Sequence, residues 1–488
     1  MGGKRNGTRY FMNYAELHFK GKRISLLGAG VSNMPLAAMA APWASELTVR
    51  DKKSPAELGE AAEKLLAMGA RLITGEDYLR GIDEDLVFRS PGIRPDLPEL
   101  NEARARGSLV TSEMELFLNE KPCPVYAVTG SDGKTTTTTL TSLLLDSPLL
   151  RGRVILGGNI GEPLLYRIDA VSPDDVCAVE LSSFQLMTVD APVKAAAVTN
   201  ITPNHLNWHT GMEEYTEAKA NILKRCGRAV LNYDNDITRA LADRLKGNVP
   251  LFWFSLNPLP PDALRAGDGA IWLDGDAVFS DFPGQGPGEG KKKIMTRSDI
   301  RLPGLHNTAN YMTAIALTHG ATTDERILEV ARTFGGVEHR LEFVREVDGV
   351  TFINGSIDSS PTRTAAALSA LSGRPVVLIA GGYDKHIPYE PLAEAVLAPD
   401  STVRAMVLTG DTAGKIRAAM EAHPRFDEAV RNGFKLAENP DFDGAVSAAA
   451  SLARPGDTVI LSPASASFDH FKNFEERGRH FKELVREM

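Results

Sequence analysis

The segment VYAVTGSDGKTTTTTLTSLL, Val125 to Leu144, sets an apolar run against a turn of Gly, Ser, Asp and Gly, followed by Lys134 and five threonines. A turn of small residues between a strand and a helix exposes backbone N–H groups at the positive end of the helix dipole. A lysine there adds a full charge, and the next hydroxyl can bind Mg²⁺. Gly130, Gly133, Lys134 and Thr135 are therefore read as holding the phosphates of a nucleotide, with Ser131 and Thr136 beside them. The full G-x-x-x-x-G-K-[ST] form wants glycine at 128, where Val128 stands, so the loop is a shortened one. The plain alternative is a glycine turn with an incidental lysine.

Two further strand ends carry chemistry. VCAVELSSFQL places Glu180 where an apolar run stops, and AAAVTNITPNHLNWH does the same for Asn200 and His205. Ligands of open parallel sheets bind at the carboxyl ends of strands, so Lys134, Glu180 and His205 are expected to face one crevice as catalytic groups. Taken singly, Glu180 reads as a solvated strand end and His205 as a loop cap; their convergence argues for a site.

The elements that must position these residues follow a regular grammar. Short apolar runs ending in Gly, Asn, Asp or Ser, each followed by a helical pattern, recur from Ile24 to Leu461 and predict parallel α/β units. In RISLLGAGVSNMPLAAMA a strand runs into Gly28 and Gly30, and ELTVRD ends a second strand at Asp51. That is the start of a Rossmann fingerprint, but Asn33 replaces its third glycine, which favours a nucleotide-binding domain and disfavours a dinucleotide. LVFRSPGI adds a strand with a polar loop, Ser90 to Gly92, at its carboxyl end. NEKPCP, with two prolines before the phosphate-loop strand, marks a boundary. DFPGQGPGEGKKK predicts a surface hairpin with a mobile loop and a solvated lysine run. LPGLHNTANYMTAIAL starts a helix with His306, Asn307 and Asn310 near its amino end. A new α/β series after Glu342 (PVVLIAGGYDKH, AMVLTGD, DTVILSPASASFDHFKNF) marks a last domain.

Bulk properties narrow the class. A length of 488 residues predicts about three domains, and 43% hydrophobic with 24% charged residues is the profile of a soluble globular chain. The balance of 54 Lys+Arg against 63 Asp+Glu, formal charge -9, argues against a nucleic-acid partner. Cys123, Cys177 and Cys226 are too few and too scattered for a disulfide framework or a C-x-x-C metal site, and fit a reducing cytoplasm as buried small residues. No stretch approaches a membrane span, and the first residues lack a signal-peptide apolar region.

With these residues assembled, the sequence resembles the Mur ligases, and within them the branch that adds D-glutamate to UDP-N-acetylmuramoyl-L-alanine in peptidoglycan synthesis. The resemblance runs through TGSDGKTT, GGNIG, ELSSFQL, NHLNWH, EAK, LPGLHNTAN, EHRLE, GGYDK and SPASASFDHFKNFEERG. It implies an α/β chain of three domains: a UDP-sugar-binding Rossmann-like domain over 1–120, a central P-loop-type ATP-binding domain over 121–341, and a Rossmann-like amino-acid-binding domain over 342–488. It also implies a cytoplasmic, monomeric ATP- and Mg²⁺-dependent ligase of cell-wall biogenesis, serving cell shape and division, that acts on small molecules without entering the membrane. The substrate carboxylate attacks the γ-phosphate of ATP to give an acyl phosphate, and the amine of D-glutamate displaces phosphate.

The same resemblance distributes roles. Mg²⁺ is held through Thr135 and Glu180, and a second ion by His205 and a carbamylated Lys219. A bare ammonium cannot ligate Mg²⁺, whereas a carbamate offers hard oxygens; read without the resemblance, Lys219 is an exposed helix lysine. Asn307 and Asn310 address the adenine side, His339 the ribose and Arg340 the phosphates. Ser32, Asn33, Asp51, Lys52, Ser90, Gly92 and Asn159 line the UDP-muramoyl end, and Lys385, Ser467, Phe468 and Phe474 hold D-glutamate.

Four positions depart from the common pattern. Asp132 stands where Asn is usual, Asn207 where Asp is, and Gly355 and Ile357 where many members have Asp and Lys. Glycine at 355 is expected to leave the ATP ribose to water or to a neighbour such as Asn354 or Asp358. These changes motivate an alternative reading, a catalytically weak paralogue that binds nucleotide or UDP-sugar. A Rossmann dehydrogenase, resting on the first domain only, is disfavoured by Asn33 and the phosphate loop.

Overall fold

The computed structural model describes residues 13–488 apart from 31, 207, 246–248, 261–262, 266, 285–290, 303, 372 and 386. The expected substitution at Asn207, the tip of the glycine-rich hairpin loop and the first twelve residues lie outside the described residues. The chain forms two compact units, one ending at Thr333 and the other running Phe334–Met488.

The first unit holds two sheets. β1 (Arg23–Leu27), β2 (Glu46–Asp51), β3 (Arg71–Thr74), β4 (Leu86–Arg89) and β5 (Leu109–Thr111) pair in the order β3-β2-β1-β4-β5, all parallel. This is a doubly wound order whose reversal beside β1 opens a crevice at the strand ends. The loop after β1 is closed by its own side chains. Asn33 is 2% exposed, and its Nδ2 donates to the carbonyls of Leu27 (3.0 Å) and Gly28 (2.9 Å) and to Ser90 Oγ (3.1 Å). Asp51 accepts from the Ala29 N–H at 2.8 Å and from the Lys53 N–H at 2.9 Å.

The second sheet has nine strands: β6 (Val125–Thr129), β7 (Val154–Gly158), β8 (Val176–Glu180), β9 (Ala195–Val198), β10 (Ala229–Asn232), β11 (Leu251–Ser255), β12 (Gly269–Asp274), β13 (Ala277–Asp281) and β14 (Lys292–Thr296). Their order is β14-β13-β12-β11-β10-β9-β6-β8-β7. The six strands β6 to β11 and β12 pair in parallel, while β12, β13 and β14 form the expected antiparallel hairpins. β6, β8 and β9 are buried along their whole length, the pattern of strands covered on both faces. Two of the three lysines read as a solvated run, their side chains still well exposed, also have partners: Lys291 with Asp274 at 2.9 Å, its ammonium also over the Phe279 ring, and Lys292 with Asp324 at 2.6 Å.

The helix Lys134–Leu145 explains its own composition. Threonine is a weak helix former because its hydroxyl competes for the backbone. Here Thr138, Thr139 and Thr141 donate to the carbonyls four residues back, so the hydroxyls are satisfied inside a buried helix. Three buried cysteines are free thiols; Cys123 and Cys177 lie 3.4 Å apart, Sγ to Sγ.

The second unit carries β15 (Glu342–Val347), β16 (Val350–Asn354), β17 (Val376–Gly381), β18 (Val403–Thr409), β19 (Lys435–Glu438) and β20 (Thr458–Leu461), ordered β15-β16-β20-β17-β18-β19. All neighbours are parallel except β15 and β16. Among the described residues no helix is long and apolar enough to cross a membrane.

Asn33→Ala removes three hydrogen bonds from a buried loop and takes the side-chain donor from the Gly28 carbonyl, while the Leu27 carbonyl keeps the Ser90 N–H at 3.1 Å. It is expected to lower the stability of the ligand-free protein by about 2 kcal/mol, read as a fall in its thermal unfolding midpoint. An unchanged midpoint would mean that Asn33 is not the brace of this loop.

Candidate functional site

The phosphate loop is built from glycine geometry and from its neighbours across the sheet. Gly133 has φ 77° and caps the helix, and a Cβ there would strike Asn310 Oδ1; a Cβ on Gly130, φ 148°, would strike the Thr199 hydroxyl. Ser131 N–H donates to the Asn200 carbonyl (2.9 Å), Asp132 N–H to Asn200 Oδ1 (2.9 Å), and Ser131 Oγ shares a hydrogen bond with Tyr215 OH (2.9 Å). Lys134 begins the helix and its Nζ donates to the Ser131 carbonyl at 2.9 Å, a position from which it can turn to a phosphate. Thr135 is buried behind it, and the Asp132 side chain is exposed, pointing its charge to solvent.

Asn310 is 7% exposed and accepts from Thr137 Oγ1 at 3.2 Å, while its Nδ2 donates to Asn307 Oδ1 at 3.3 Å. Its carboxamide braces the phosphate loop and helix.

Glu180 is only 2% exposed, which removes the solvated strand end from consideration. Its Oε1 accepts from Asn159 Nδ2 at 2.9 Å, and Asn159 N–H donates to the Glu180 carbonyl at 2.8 Å. Asn159 is thus brought to Glu180. Glu180 Oε2 is buried with no hydrogen-bond partner among the described residues. A buried carboxylate oxygen left open beside a phosphate loop fits a divalent cation, and Mg²⁺ in particular takes one or two carboxylates together with substrate phosphates. No group of three or more His, Cys, Asp or Glu gathers among the described residues.

Lys219 corrects the surface reading: it is 1% exposed on the helix Met212–Ala220. Its Nζ donates to the Gly130 carbonyl at 2.6 Å and sits 4.6 Å from the Tyr215 ring centre. Burial first, and the charge of Lys134 second, push its ammonium down to about 6, so the amine is largely neutral at pH 7. His205, with φ 55° and its ring 5.0 Å from Phe184, is also pushed toward neutrality, chiefly by desolvation and then by Lys134 and Lys219. The charges of Lys134 and Lys219 act on His205, and those of Lys134 and Glu180 on Lys219, which comes from the helix Met212–Ala220 rather than from a strand end.

Next to them lies a chain of contacts that sequence reading missed. Arg94 pairs with Glu214 at 2.9 Å and holds its carboxyl down to about 2; Glu214 accepts from His209 Nδ1 (2.9 Å), and His209 Nε2 faces Ser183 Oγ (2.9 Å). An ionised Glu214 fixes the proton on Nδ1, so Nε2 accepts from Ser183. Both His209 and Ser183 are buried, so the arrangement pins the His205 loop rather than attacking a substrate. Trp208 Nε1 adds a bond to the Gly92 carbonyl at 3.0 Å, tying this loop to the end of β4. The charged pair, Arg94 of GIRPDL with Glu214 of GMEEY, offered no periodic signal; only the fold joins it.

At the first sheet, Asn33, Asp51 and Ser90 build the loop after β1, as above. Ser32 precedes the helix Asn33–Ala40, and Lys52 is exposed, 3.5 Å from Glu76.

In the second unit, His339 is 3% exposed with φ 63°. Its Nδ1 accepts from Asn354 Nδ2 at 3.0 Å, and its ring lies against Gly478 and, at 5.9 Å, Phe474. Arg340 is exposed. Lys385 Nζ reaches Ser359 Oγ at 3.3 Å, Ser467 is 2% exposed and Phe468 is 61% exposed against Tyr383. At Gly355 one of the expected neighbours, Asp358, is the residue found. A Cβ there would lie 2.8 Å from both Asp358 Oδ2 and the Leu461 carbonyl, so the Asp358 carboxylate already fills the place of a side chain.

Burial raises the Asp358 carboxyl to about 6, against the opposing effects of its hydrogen bond from Ser462 Oγ (2.8 Å) and of Arg340, Arg363 and Arg477. Between about pH 4 and 6 the folded protein then holds a proton that the unfolded chain has released, so this group's contribution falls as pH rises through that window and stays lost above it. Asp358→Asn is expected to be more stable than the native protein at pH 7.5, by up to about 3 kcal/mol, and less so at pH 5. Thermal midpoints across that range check it; a difference that does not grow with pH would refute the assignment.

Comparisons with known proteins bear on the family of the chain. The Mur ligase middle domain matches residues 128–318 and the Mur ligase, glutamate ligase domain matches residues 339–465. A protein of Acetivibrio thermocellus named UDP-N-acetylmuramoylalanine--D-glutamate ligase is 43% identical over 482 residues, spanning 97% of this chain and 98% of its own. Its namesake in Ruminiclostridium cellulolyticum is 42% identical over 470 residues, with 96% and 97% covered. Among solved structures, a UDP-N-acetylmuramate-alanine ligase of Thermotoga maritima shares the fold at 17% identity, with a TM-score of 0.50 over 96% of this chain and 99% of that one. On matches that together span both units and nearly every residue, the chain belongs to the Mur ligase family.

Proposed function

We propose that this chain joins D-glutamate to UDP-N-acetylmuramoyl-L-alanine at the expense of ATP, as a cytoplasmic monomer in peptidoglycan synthesis. The observation that carries the reading is a buried Glu180 with one open oxygen, set against a phosphate loop whose helix begins at Lys134. The near-full-length relatives named for this reaction support the choice of substrates. Three domains, over 1–120, 121–341 and 342–488, correspond in this reading to the three sheets, which take UDP-sugar, ATP and amino acid in turn.

The UDP-sugar's terminal carboxylate oxygen forms a bond to the γ-phosphorus of ATP as the bond to the β-phosphate oxygen breaks, giving an acyl phosphate and ADP. The nitrogen of D-glutamate then bonds to the acyl carbon, sheds its proton, and phosphate leaves. Phosphoryl transfer is mainly charge placement, so the loop N–H groups and Lys134 hold the migrating group. Thr135 and Glu180 are the residues that would hold Mg²⁺, with His205 and a carbamylated Lys219 for a second ion; when bound, the metal neutralises charge on the phosphate oxygens. The buried position of Lys219 supports the modification, because carbon dioxide adds to a neutral amine. Its neighbours Gly130 and Tyr215 hold the nitrogen at the loop. Asn159 orients Glu180, and Ser32, Lys52, Ser90 and Gly92 lie at the first sheet's crevice for the UDP-muramoyl end. The weak-paralogue alternative loses one of its motives, since the space at Gly355 is filled by Asp358.

Phosphate release with UDP-N-acetylmuramoyl-L-alanine, ATP and a panel of amino acids tests the reading; D-glutamate should be required, and turnover without it would end the proposal. Lys134→Ala should reduce that turnover at least about a hundredfold, the effect of removing a charge that acts on the transition state. Near-native release would return the loop to an ordinary turn.

Lys219→Ala should abolish turnover and regain part of it in short carboxylic acids, which can supply the missing oxygen ligand. Full activity of the alanine variant would take Lys219 out of the site.

A further inference from the structure

Arg477 heads the fully buried side chains by size, although it carries a charge and lies near the start of the helix Phe474–Glu487. Its Nε donates to Ser356 Oγ (3.0 Å), its Nη1 to the Ala466 carbonyl (2.8 Å), and its Nη2 to the carbonyls of Ser356 (2.9 Å) and Ser465 (3.2 Å). One guanidinium thus ties the loop after β16 to the loop after β20. All four acceptors are neutral. Asp469 and Asp358 act on the guanidinium through space, and burial pulls it down only to about 10, so it stays protonated at neutral pH.

The loop it grips is one that needs holding. Ala464 has φ 56°, a backbone conformation that a residue with a Cβ keeps only where its surroundings impose it. Ser465 is fixed from the other side by Tyr389 OH (2.8 Å) and Thr412 Oγ1 (2.9 Å). The backbone of Ser467 and Phe468 follows from that double anchorage. Through Ser356 the same guanidinium also sets the turn that presents Ser359 to Lys385. A buried cation without a contacting carboxylate is expensive, and a neutral donor could staple carbonyls as well. What the charge adds is a positive potential, and Lys385 registers it: its ammonium is lowered by burial and then by Arg363 and Arg477.

We propose that Arg477 is a positioning residue for the anionic amino-acid acceptor, setting both loops that receive it and drawing its carboxylates by charge. The inference rests on the proposed function only in taking the acceptor to be D-glutamate. Steady-state kinetics of Arg477→Lys, and of Arg477→Ala with and without guanidinium chloride, test it at matched ionic strength in sodium chloride. The KM for D-glutamate should rise about tenfold or more, the cost of misplacing one charged hydrogen bond that the two loops make to the acceptor, while KM for ATP and for the UDP-sugar change by less than about twofold. Guanidinium, not sodium, should recover part of the loss. An unchanged KM for D-glutamate, or three constants rising together, overturns the proposal. Where Arg477→Ala is insoluble, Arg477→Lys and Ser356→Ala decide by the same split. Should the native protein turn over with another amino acid instead, the functional reading fails separately, and the KM for that acceptor judges Arg477.

Discussion

Strand β6 is paired in parallel on both sides, with β8 and with β9, and this pairing levels three strand ends that are far apart in the chain. Val128 lies opposite Glu180 and Thr129 opposite Val198, so the turn after β6 opens beside Glu180 on one flank and Thr199–Asn200 on the other. Backbone bonds continue past the strands, from Leu181 N–H to the Val128 carbonyl and from Thr199 N–H to the Thr129 carbonyl. A slip of one residue would turn Glu180 from the site into the opposite face, because side chains alternate along a strand. The buried, continuous apolar strands make such a slip costly on both faces at once.

On this frame the protein buries charge where chemistry is expected. Glu180 and Arg477 are each nearly inaccessible, yet neither has a contacting opposite charge among the described residues, while the equally buried Lys219 is held largely neutral. Glu180 is steadied by one carboxamide, Lys219 by a carbonyl and an aromatic face, Arg477 by carbonyls and a hydroxyl. Buried ions held by neutral dipoles are poor contributors to stability. They are, however, already oriented and desolvated, and a charge so placed acts on an arriving phosphate or carboxylate without reorganising. Stability foregone in the core of the site is the expected counterpart of that readiness.

Neutral side chains complete the arrangement. Asn159, Asn310, Thr199 and Tyr215 each touch the phosphate loop or the acid beside it, and the Arg94–Glu214–His209–Ser183 chain fixes the segment carrying His205. These residues link β4, the helices beside the second sheet and the loop after β9 within one compact unit. The positions of the reacting groups thus depend on contacts made tens to hundreds of residues apart.

The sequence by itself determined the α/β alternation, the doubly wound first sheet, the phosphate loop, the hairpins after β11 and the strand ends bearing Glu180 and His205. Those features are local: apolar period, glycine where φ is positive, and turn chemistry all act over a few residues. Tertiary structure alone decided that Lys219 is buried, because one helix turn looks alike whether its lysine meets water or the Gly130 carbonyl. It alone decided that Asn159 touches Glu180, that Asn310, expected at the adenine side, touches the loop before Lys134, that Asp358 fills the place beside Gly355, and that Arg477 joins two loops. Each of these is a pairing across sheets or helices, set by register and packing, and a pairing of that kind leaves no period in the chain from which to read it.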